Sequence, residues 1–455
     1  MILKEYIAPR WFYEKVAKIA LPSALQHLLS SAMGIVDTIM VSQIGQVTAV
    51  GTAAQIETLV ITVGFGAVTG TGIFASQFFG AKEYKNMKRV FGMSLLLMLG
   101  NGILWTILTL VGKRQILSIF ISDQHVIEPA MIYLSVVVFS YIPSLIGFAF
   151  SYMYRCTQKT HIPLMIGLVA MISNVIGNYV LIFGAFGFPR LGVQGAAIST
   201  VIAQWLGMCV HIIYAYKTKQ PFVGNFQELF GWNRDFIRPV LKRTMPLVIN
   251  EIFFGIGASM YITAFGILGK QAMDSYYVGN QIANVFLAIV IGVGQATAAI
   301  LGSSLGQNKI EEAQNQSKYF VGLALVISLS MSVLIFGGAH PLVKLFGLTD
   351  AAVEQMAIRI IQITAIRIAL RMFNVIVFSS LRAGGDARFL TFLDAGIKWI
   401  VGIPLAFILV GIFKLNNIAL VFLLVQLEEV VRVCIGWGRL KAGNWAKNLT
   451  SEVSA

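Results

Sequence analysis

Charge is what this sequence has least of. Of its 455 residues, 12% are Asp, Glu, Lys or Arg, against about 25% in a soluble domain. Hydrophobic residues make up 57%, and mean hydropathy is +0.78. That scarcity excludes an ordinary soluble fold. Between Ile19 and Ala81 only Asp37 and Glu57 carry a charge. Catalytic motifs are scarce too. There is no GxxxxGK[ST] phosphate loop and no cytosolic domain large enough for an ATPase. The five histidines are scattered and form no HExxH, and the three cysteines (Cys156, Cys209, Cys434) lack metal spacing. GSSLG at 302–306 fits GxSxG, but it falls at the end of an apolar span and not on a strand-to-helix elbow. GTGIFA at 70–75 copies a dinucleotide pattern in letters only. No enzyme and no cofactor are expected. The N-terminus, MILKEYIAPRWFYEKVAKIA, lacks the short apolar core and cleavage site of a signal peptide, so the first span is expected to remain in the mature protein.

What is present is a succession of apolar runs. A transmembrane helix needs about 20 mostly apolar residues, and a membrane β-barrel would instead show alternating segments of about 10. The runs predict an all-α integral membrane protein with twelve spans, at 16–43, 49–78, 87–112, 130–153, 161–184, 191–216, 243–268, 275–304, 317–338, 355–381, 389–411 and 417–437. The net charge of +14 lies mostly in short connections, which speaks for topology and against nucleic acid. One alternate set of connections is rich in Lys and Arg (Lys82, Lys85, Lys88 and Arg89; Arg155 and Lys159; Arg382 and Arg388). The other set holds few. Both termini are therefore expected in the cytoplasm, with the chain in the cell membrane. The sequons at Asn315 and Asn448 then lie inside, where they carry no meaning for glycosylation. The longest connection, 217–242, mixes aromatic and basic residues and reads as a segment on the inner membrane face. It divides the chain into a six-helix lobe at 1–216 and another at 243–440, with a cytoplasmic tail at 441–455.

The two halves match weakly. Pro22 meets Pro246 and Gly45 meets Gly269 at an offset of 224. Gly66 meets Gly292, Gly80 meets Gly306, Phe120 meets Phe346 and Glu128 meets Glu354 at 226, and Arg155 meets Arg382 at 227. Six spans, an even number, separate equivalent points. The repeat is therefore parallel, which favours a transporter with its substrate site near the midplane.

A charge at the centre of a spanning helix costs about 2.5–3.5 kcal/mol and usually faces the bundle interior. His27, Ser30, Gly34 and Asp37 fall on one helical stripe, which should line a protein interior. Asp37 there would carry a proton, or Na⁺ if oxygen groups surround it. Asn174 and Asn178, four apart, share a face of the fifth span, and Thr200 lies just inside the sixth; these would supply neutral oxygens. The second half places Glu251 at the repeat position of His27. Arg367, Arg371 and Asn374 share a face of the tenth span, and Glu251, Glu428 and Glu429 are the acids available to the two arginines. Asp394 with Lys398, and Glu428 with Arg432, are each four apart, a spacing at which they would neutralise one another. A charged cavity in the C-terminal lobe follows as an expectation.

These residues sit within longer motifs: VDTIMVSQIG at 36–45, SQFFGAKE at 76–83, NVIGNYVLIFGAFGFPRLGVQGAAISTVIAQ at 174–204, LRAGGDARF at 381–389 and IVGIPLAF at 400–407. Through them the chain resembles the multidrug and toxic compound extrusion (MATE) transporters over nearly its whole length. PLVINEIFFGIG at 246–257 and the tail GNWAKNLT are most similar to a branch common in Gram-positive bacteria. The resemblance implies two six-helix lobes forming a V around a central cavity. It also implies export of cationic lipophilic compounds in exchange for H⁺ or Na⁺, by a chain expected to act as a monomer. Asp37 matches the acid implicated in ion coupling, Asn174 the family's site asparagine, and Thr200 a hydroxyl ligand. Asn178 stands where some members have an acid. Asp37 and Asn174 would be the metal ligands if the ion is Na⁺. Another branch builds a cation site from a seventh-helix Glu and a tenth-helix Asp; here the acid is Glu251, one turn earlier, and the Asp position falls on Arg371. A lipid-linked oligosaccharide flippase of similar fold is the alternative, with Arg367 and Arg371 as its phosphate-binding cations.

Overall fold

A computed structural model of the chain describes residues 2–120, 124–344 and 350–452. Phe346, the repeat partner expected for Phe120, lies outside them. The described residues are helical, with no strand among them. In chain order the helices are α1 (Arg10–Ser42), α2 (Val47–Ala81), α3 (Tyr84–Phe120), α4 (Gln124–Val137), α5 (Tyr141–Cys156), α6 (His161–Phe183), α7 (Val193–Lys217) and α8 (Phe226–Phe230). They continue as α9 (Arg234–Gly266), α10 (Lys270–Gly306), α11 (Ile310–Lys344), α12 (Ala351–Ala383), α13 (Ala387–Thr391), α14 (Ile403–Phe407), α15 (Ile418–Val425) and α16 (Leu427–Lys441).

Eleven described helices are long and apolar enough to cross a membrane. The eleventh, Ala387–Ile412, contains α13 and α14 and three π turns, at Phe392–Gly396, Lys398–Gly402 and Ile408–Ile412. The twelfth expected span is two helices, α15 and α16, meeting at Gln426. The second piece carries Glu428, Glu429 and Arg432, all buried, so it owes its place to tertiary partners and not to hydropathy.

The chain parts into two compact units. One, here the N-unit, is residues 25–248; the other, the C-unit, combines 2–24 with 249–452. The divisions fall inside α1 and α9, away from any loop. Small residues make this possible. A Cβ added at Gly66 of α2 would lie 2.6 Å from the Val248 Cα of α9, and one at Gly292 of α10 would lie 2.5 Å from the Ala20 oxygen of α1. Glycine at these two repeat-related positions lets backbones touch, the usual route to tight helix packing where lipid removes the hydrophobic drive.

In the N-unit, the connection at 217–242 is anchored by a few buried aromatic and aliphatic residues, while Phe226 and most of its charged residues are exposed. Phe222 and Phe236 are fully buried, against Phe91 (5.1 Å between ring centroids) and Phe78 (6.5 Å) respectively. Its second part, from Arg234, already belongs to α9. The Asn225 side chain caps α8 and accepts from the Glu228 N–H, while the Glu228 carboxylate accepts from the Asn225 N–H, a capping box. Lys88 of α3 reaches Glu228 at 2.7 Å. In the C-unit, Phe12 packs edge-on to Phe320 at 5.0 Å, and the tail folds back to bury Trp445 and Leu449.

Candidate functional site

Asp37 reaches its partners because α1 runs beside α6 in the N-unit. The Asn178 Nδ2 donates to Asp37 Oδ1 at 2.5 Å, and the same nitrogen lies 3.3 Å from the Asn174 Oδ1. The Asn174 Nδ2 donates to Thr200 Oγ1 of α7 at 3.4 Å, and Thr200 donates on to the Ala196 carbonyl at 3.1 Å. Asn174 and Asn178 are fully buried and Thr200 nearly so, whereas Asp37 is half-buried. The four residues expected at the ion site thus form one chain of polar contacts across three helices. Their register follows from the four-residue spacing of the asparagines and from the close approach of α6 and α7. A Cβ at Gly177 would lie 2.4 Å from Ser199 Oγ, and Ser199 donates to the Asn174 carbonyl at 2.7 Å. The rest of the α1 stripe differs from expectation. His27 is half-buried, but Ser30 and Gly34 are exposed, with Ser30 bonded back to the Gln26 carbonyl.

Sequence reasoning missed two contributors. Ser199 adjoins Thr200 and ties α7 to the α6 backbone. Tyr133 of α4 is buried and interacts electrostatically with Thr200. An aromatic in an apolar helix gives no signal of such a contact.

The C-unit gathers a second buried polar cluster. Arg432 of α16, 1% exposed, is its centre. Its guanidinium pairs with Glu428, meets Glu429 at 3.3 Å and Asp394 at 3.8 Å, and donates to the Asp394 carbonyl at 2.7 Å. Arg371 meets Glu429 at 3.2 Å, and the Asn374 Nδ2 donates to the same carboxylate at 2.7 Å. Asn250 of α9 donates to Asp394 Oδ2 at 3.1 Å, and the Tyr261 hydroxyl donates to Glu428. So Arg371, Asn374, Asp394 and Glu428 come together, through Glu429 and Arg432.

Two expectations change here. Asp394 does not form an ion pair with Lys398, whose amine lies 3.4 Å from the centre of the Phe254 ring and donates to the Phe254 carbonyl at 3.3 Å. The π turns re-aim this part of the helix, so a four-residue spacing no longer means one face. Glu251 is not the partner of Arg371 either: Glu429 takes that place, and Glu251 sits 3.5 Å from Asn250. Arg367 lies over the Phe422 ring at 5.7 Å. A cation site built on Glu251 and an acid at position 371 does not form.

Comparison with known proteins follows the same outline. The MatE family profile matches residues 22–180 and 246–408, two stretches offset by 224 residues at their starts and 228 at their ends. An uncharacterized transporter of Bacillus subtilis, YisQ, is 28% identical over 93% of this chain and 93% of its own. A probable multidrug resistance protein of the same organism, YoeA, is 25% identical over 89% of this chain and 88% of its own. The MATE transporter VcmN of Vibrio cholerae, in its bent form, superposes with a TM-score of 0.85 at 16% identity, covering 97% of this chain and 98% of that one. The starting offset carries Asp37 onto Tyr261 and the ending offset carries Asn174 onto Gly402; extended past the matched stretches, the latter also sets Thr200 opposite Glu428. Those three also meet: a Cβ at Gly402 would fall on both the Tyr261 hydroxyl and the Glu428 carboxylate. The C-unit's carboxylate there is held by Arg432.

Proposed function

The chain belongs to the MatE family, a multi-pass membrane transporter and not an enzyme, and on that premise we propose that it exports cationic lipophilic compounds in exchange for H⁺ or Na⁺ bound at Asp37. The observation that carries this reading is the contact of Asp37 with Asn178, continued through Asn174 to Thr200. It gives a membrane carboxylate a fixed position and neutral neighbours, with no basic side chain acting on it. A carboxylate so placed holds a cation by charge and releases it when its surroundings change. The repeat supports alternating access by two lobes, and ion and substrate that favour opposite-facing states weaken each other's binding. Asp37, Asn174, Asn178 and Thr200 are the coupling residues. Arg371, Asn374, Asp394 and Glu428, with Glu251 and Arg367 at the margin, form a C-terminal polar cluster that is structural. The pairing of Arg371 with Glu429 takes away one of the two cations a phosphate-binding flippase would use.

The test is ethidium efflux from vesicles under an imposed pH gradient or an imposed Na⁺ gradient, each alone. Wild type should respond to one of them and Asp37→Asn to neither. Gradient-driven export at the wild-type rate by Asp37→Asn would remove Asp37 from the coupling role.

A further inference from the structure

The connection between α7 and α9 carries positive charge that the N-unit does not use. Lys217, Lys219, Arg234, Arg238 and Lys242 are all exposed. Among the described residues, none of their side chains makes an ion pair or a hydrogen bond. Neighbouring basic groups are the contrast. Lys88 meets Glu228 at 2.7 Å, and Lys159 donates to the Gln220 Oε1 at 2.9 Å. The acids of the connection are Glu228, already taken by Lys88, and the exposed Asp235. The surface is therefore left positive.

The same connection presents an aromatic patch. Phe226 is 76% exposed. Its ring lies 4.8 Å from that of Phe230, one turn on along α8, and Phe230 lies 6.0 Å from Trp232. Leu229 and Phe222 are buried, so the segment has one side held by the protein and another that carries Phe226. The patch stays close to the bilayer. Both α7 and α9 are long and apolar enough to cross a membrane, and they end at Lys217 and begin at Arg234. The Tyr216 hydroxyl donates to the Gly224 carbonyl at 2.9 Å, which ties the start of α8 to the end of α7. Aromatic rings rimmed by Lys and Arg at the end of a span settle in the headgroup layer, where the rings shed water and the cations meet phosphate. Three rings, two of them half-buried, present less than the about 800 Å² per partner that a stable protein interface buries. Size and charge together fit an anionic lipid surface.

We propose that this connection is a binding surface for anionic phospholipid headgroups in the leaflet at that end of the spans. Phe226, Phe230 and Trp232 enter the headgroup layer, and the five unpaired cations meet lipid phosphates. The surface depends neither on Asp37 nor on the coupling ion.

The experiment uses the full-length protein in nanodiscs of phosphatidylcholine, with or without phosphatidylglycerol. A nitroxide is placed on Gln227→Cys, an exposed neighbour of Phe226, after Cys209→Ser and Cys434→Ser remove the two exposed thiols. Its depth is read from collisions with oxygen, which concentrates in the bilayer, relative to collisions with a water-soluble nickel chelate. The ratio should be several-fold higher with phosphatidylglycerol present. NaCl at about 1 M, where the screening length is about 3 Å, should remove the difference. Each Lys or Arg near such a surface strengthens the attraction about fivefold. Lys217→Gln with Lys219→Gln should therefore lose most of the rise, and Lys217→Arg with Lys219→Arg should keep it. Phe226→Ser should lower the ratio in both membranes. All the substituted side chains are exposed, and the Arg pair guards against a folding defect. A ratio equal to that of a water-exposed site in both membranes overturns the proposal. An equal rise in both also overturns it, since the rings would then enter without regard to lipid charge. Shielding from both reagents that grows with protein concentration overturns it in favour of a second copy of the chain.

Discussion

Asn178 does two things at once, and a single substitution separates them. Its Nδ2 holds Asp37, and its Oδ1 is buried without a donor. Hydrogen bonds to charged groups contribute about 1.5–3 kcal/mol. Asn178→Ala should therefore weaken coupling-ion affinity by about tenfold or more, since about 1.4 kcal/mol is a factor of ten. An ion titration of efflux checks this, with an unchanged unfolding temperature showing that the fold is kept. Arg432 gives the opposite result. It serves Glu428, Glu429 and Asp394 at 1% exposure, so Arg432→Met leaves buried carboxylates without their cation. Breaking such a cluster costs about 3–5 kcal/mol, and Arg432→Lys, which lacks the planar fork, should recover only part of it. Thermal unfolding of the purified protein in detergent reads the difference. The contrast also marks what was legible in the sequence. Asp37, Asn174 and Asn178 show themselves as lone polar groups at helical spacing in apolar helices. The roles of Asn250 and Tyr261 do not, because their partners Asp394 and Glu428 lie 144 and 167 residues away. Local spacing carries no trace of contacts at that range; Asp37 and Asn178, 141 residues apart, are brought together by the family resemblance and not by spacing.

At the scale of helices, the repeat is written in glycine. Gly66 and Gly292 let α2 meet α9 and α10 meet α1 with backbones in contact. Leucine at either position has no flexible neighbour to displace, only backbone at Gly66 and backbone with the Ala24 Cβ at Gly292. Overpacking costs about 1–3 kcal/mol even where side chains can yield, so Gly66→Leu and Gly292→Leu should each reduce the yield of folded protein several-fold. Gly34→Ala, with nothing within 4 Å of the added carbon, should leave it unchanged. Fluorescence-detected size exclusion of the three variants makes the comparison. Of the twelve spans read from the apolar runs, eleven are long apolar helices among the described residues. Hydropathy misses the break at Gln426 and the π turns of the eleventh span, where buried charges and tertiary hydrogen bonds overrule local preference.

Over the whole chain, the nearly constant offset made two related halves visible, whereas the division of α1 and α9 between the two compact units left no mark in the sequence. An apolar helix face carries no mark of which neighbour it will meet. The connection between the halves shows how charge is used outside the membrane. The Lys88 ammonium and the Asn225 N–H both favour ionised Glu228 and hold its carboxyl below its ordinary value of 4.5. A depressed carboxyl contributes order that is fully present above its ordinary value and is lost as pH falls through the lowered one. The α8 capping box and its tie to α3 should therefore be intact at neutral pH and loosen only in acid. Hydrogen exchange of the amides at 225–233, corrected for intrinsic rates, should stay slow from pH 7 down to about 5 and rise below about 4. Glu228→Gln should lose the pH step, since its amide oxygen still accepts from the Asn225 N–H but carries no charge for Lys88 and does not titrate. The same loosening in Glu228→Gln and wild type at neutral pH would mean that aromatic packing at Phe222 and Phe236 alone holds the connection.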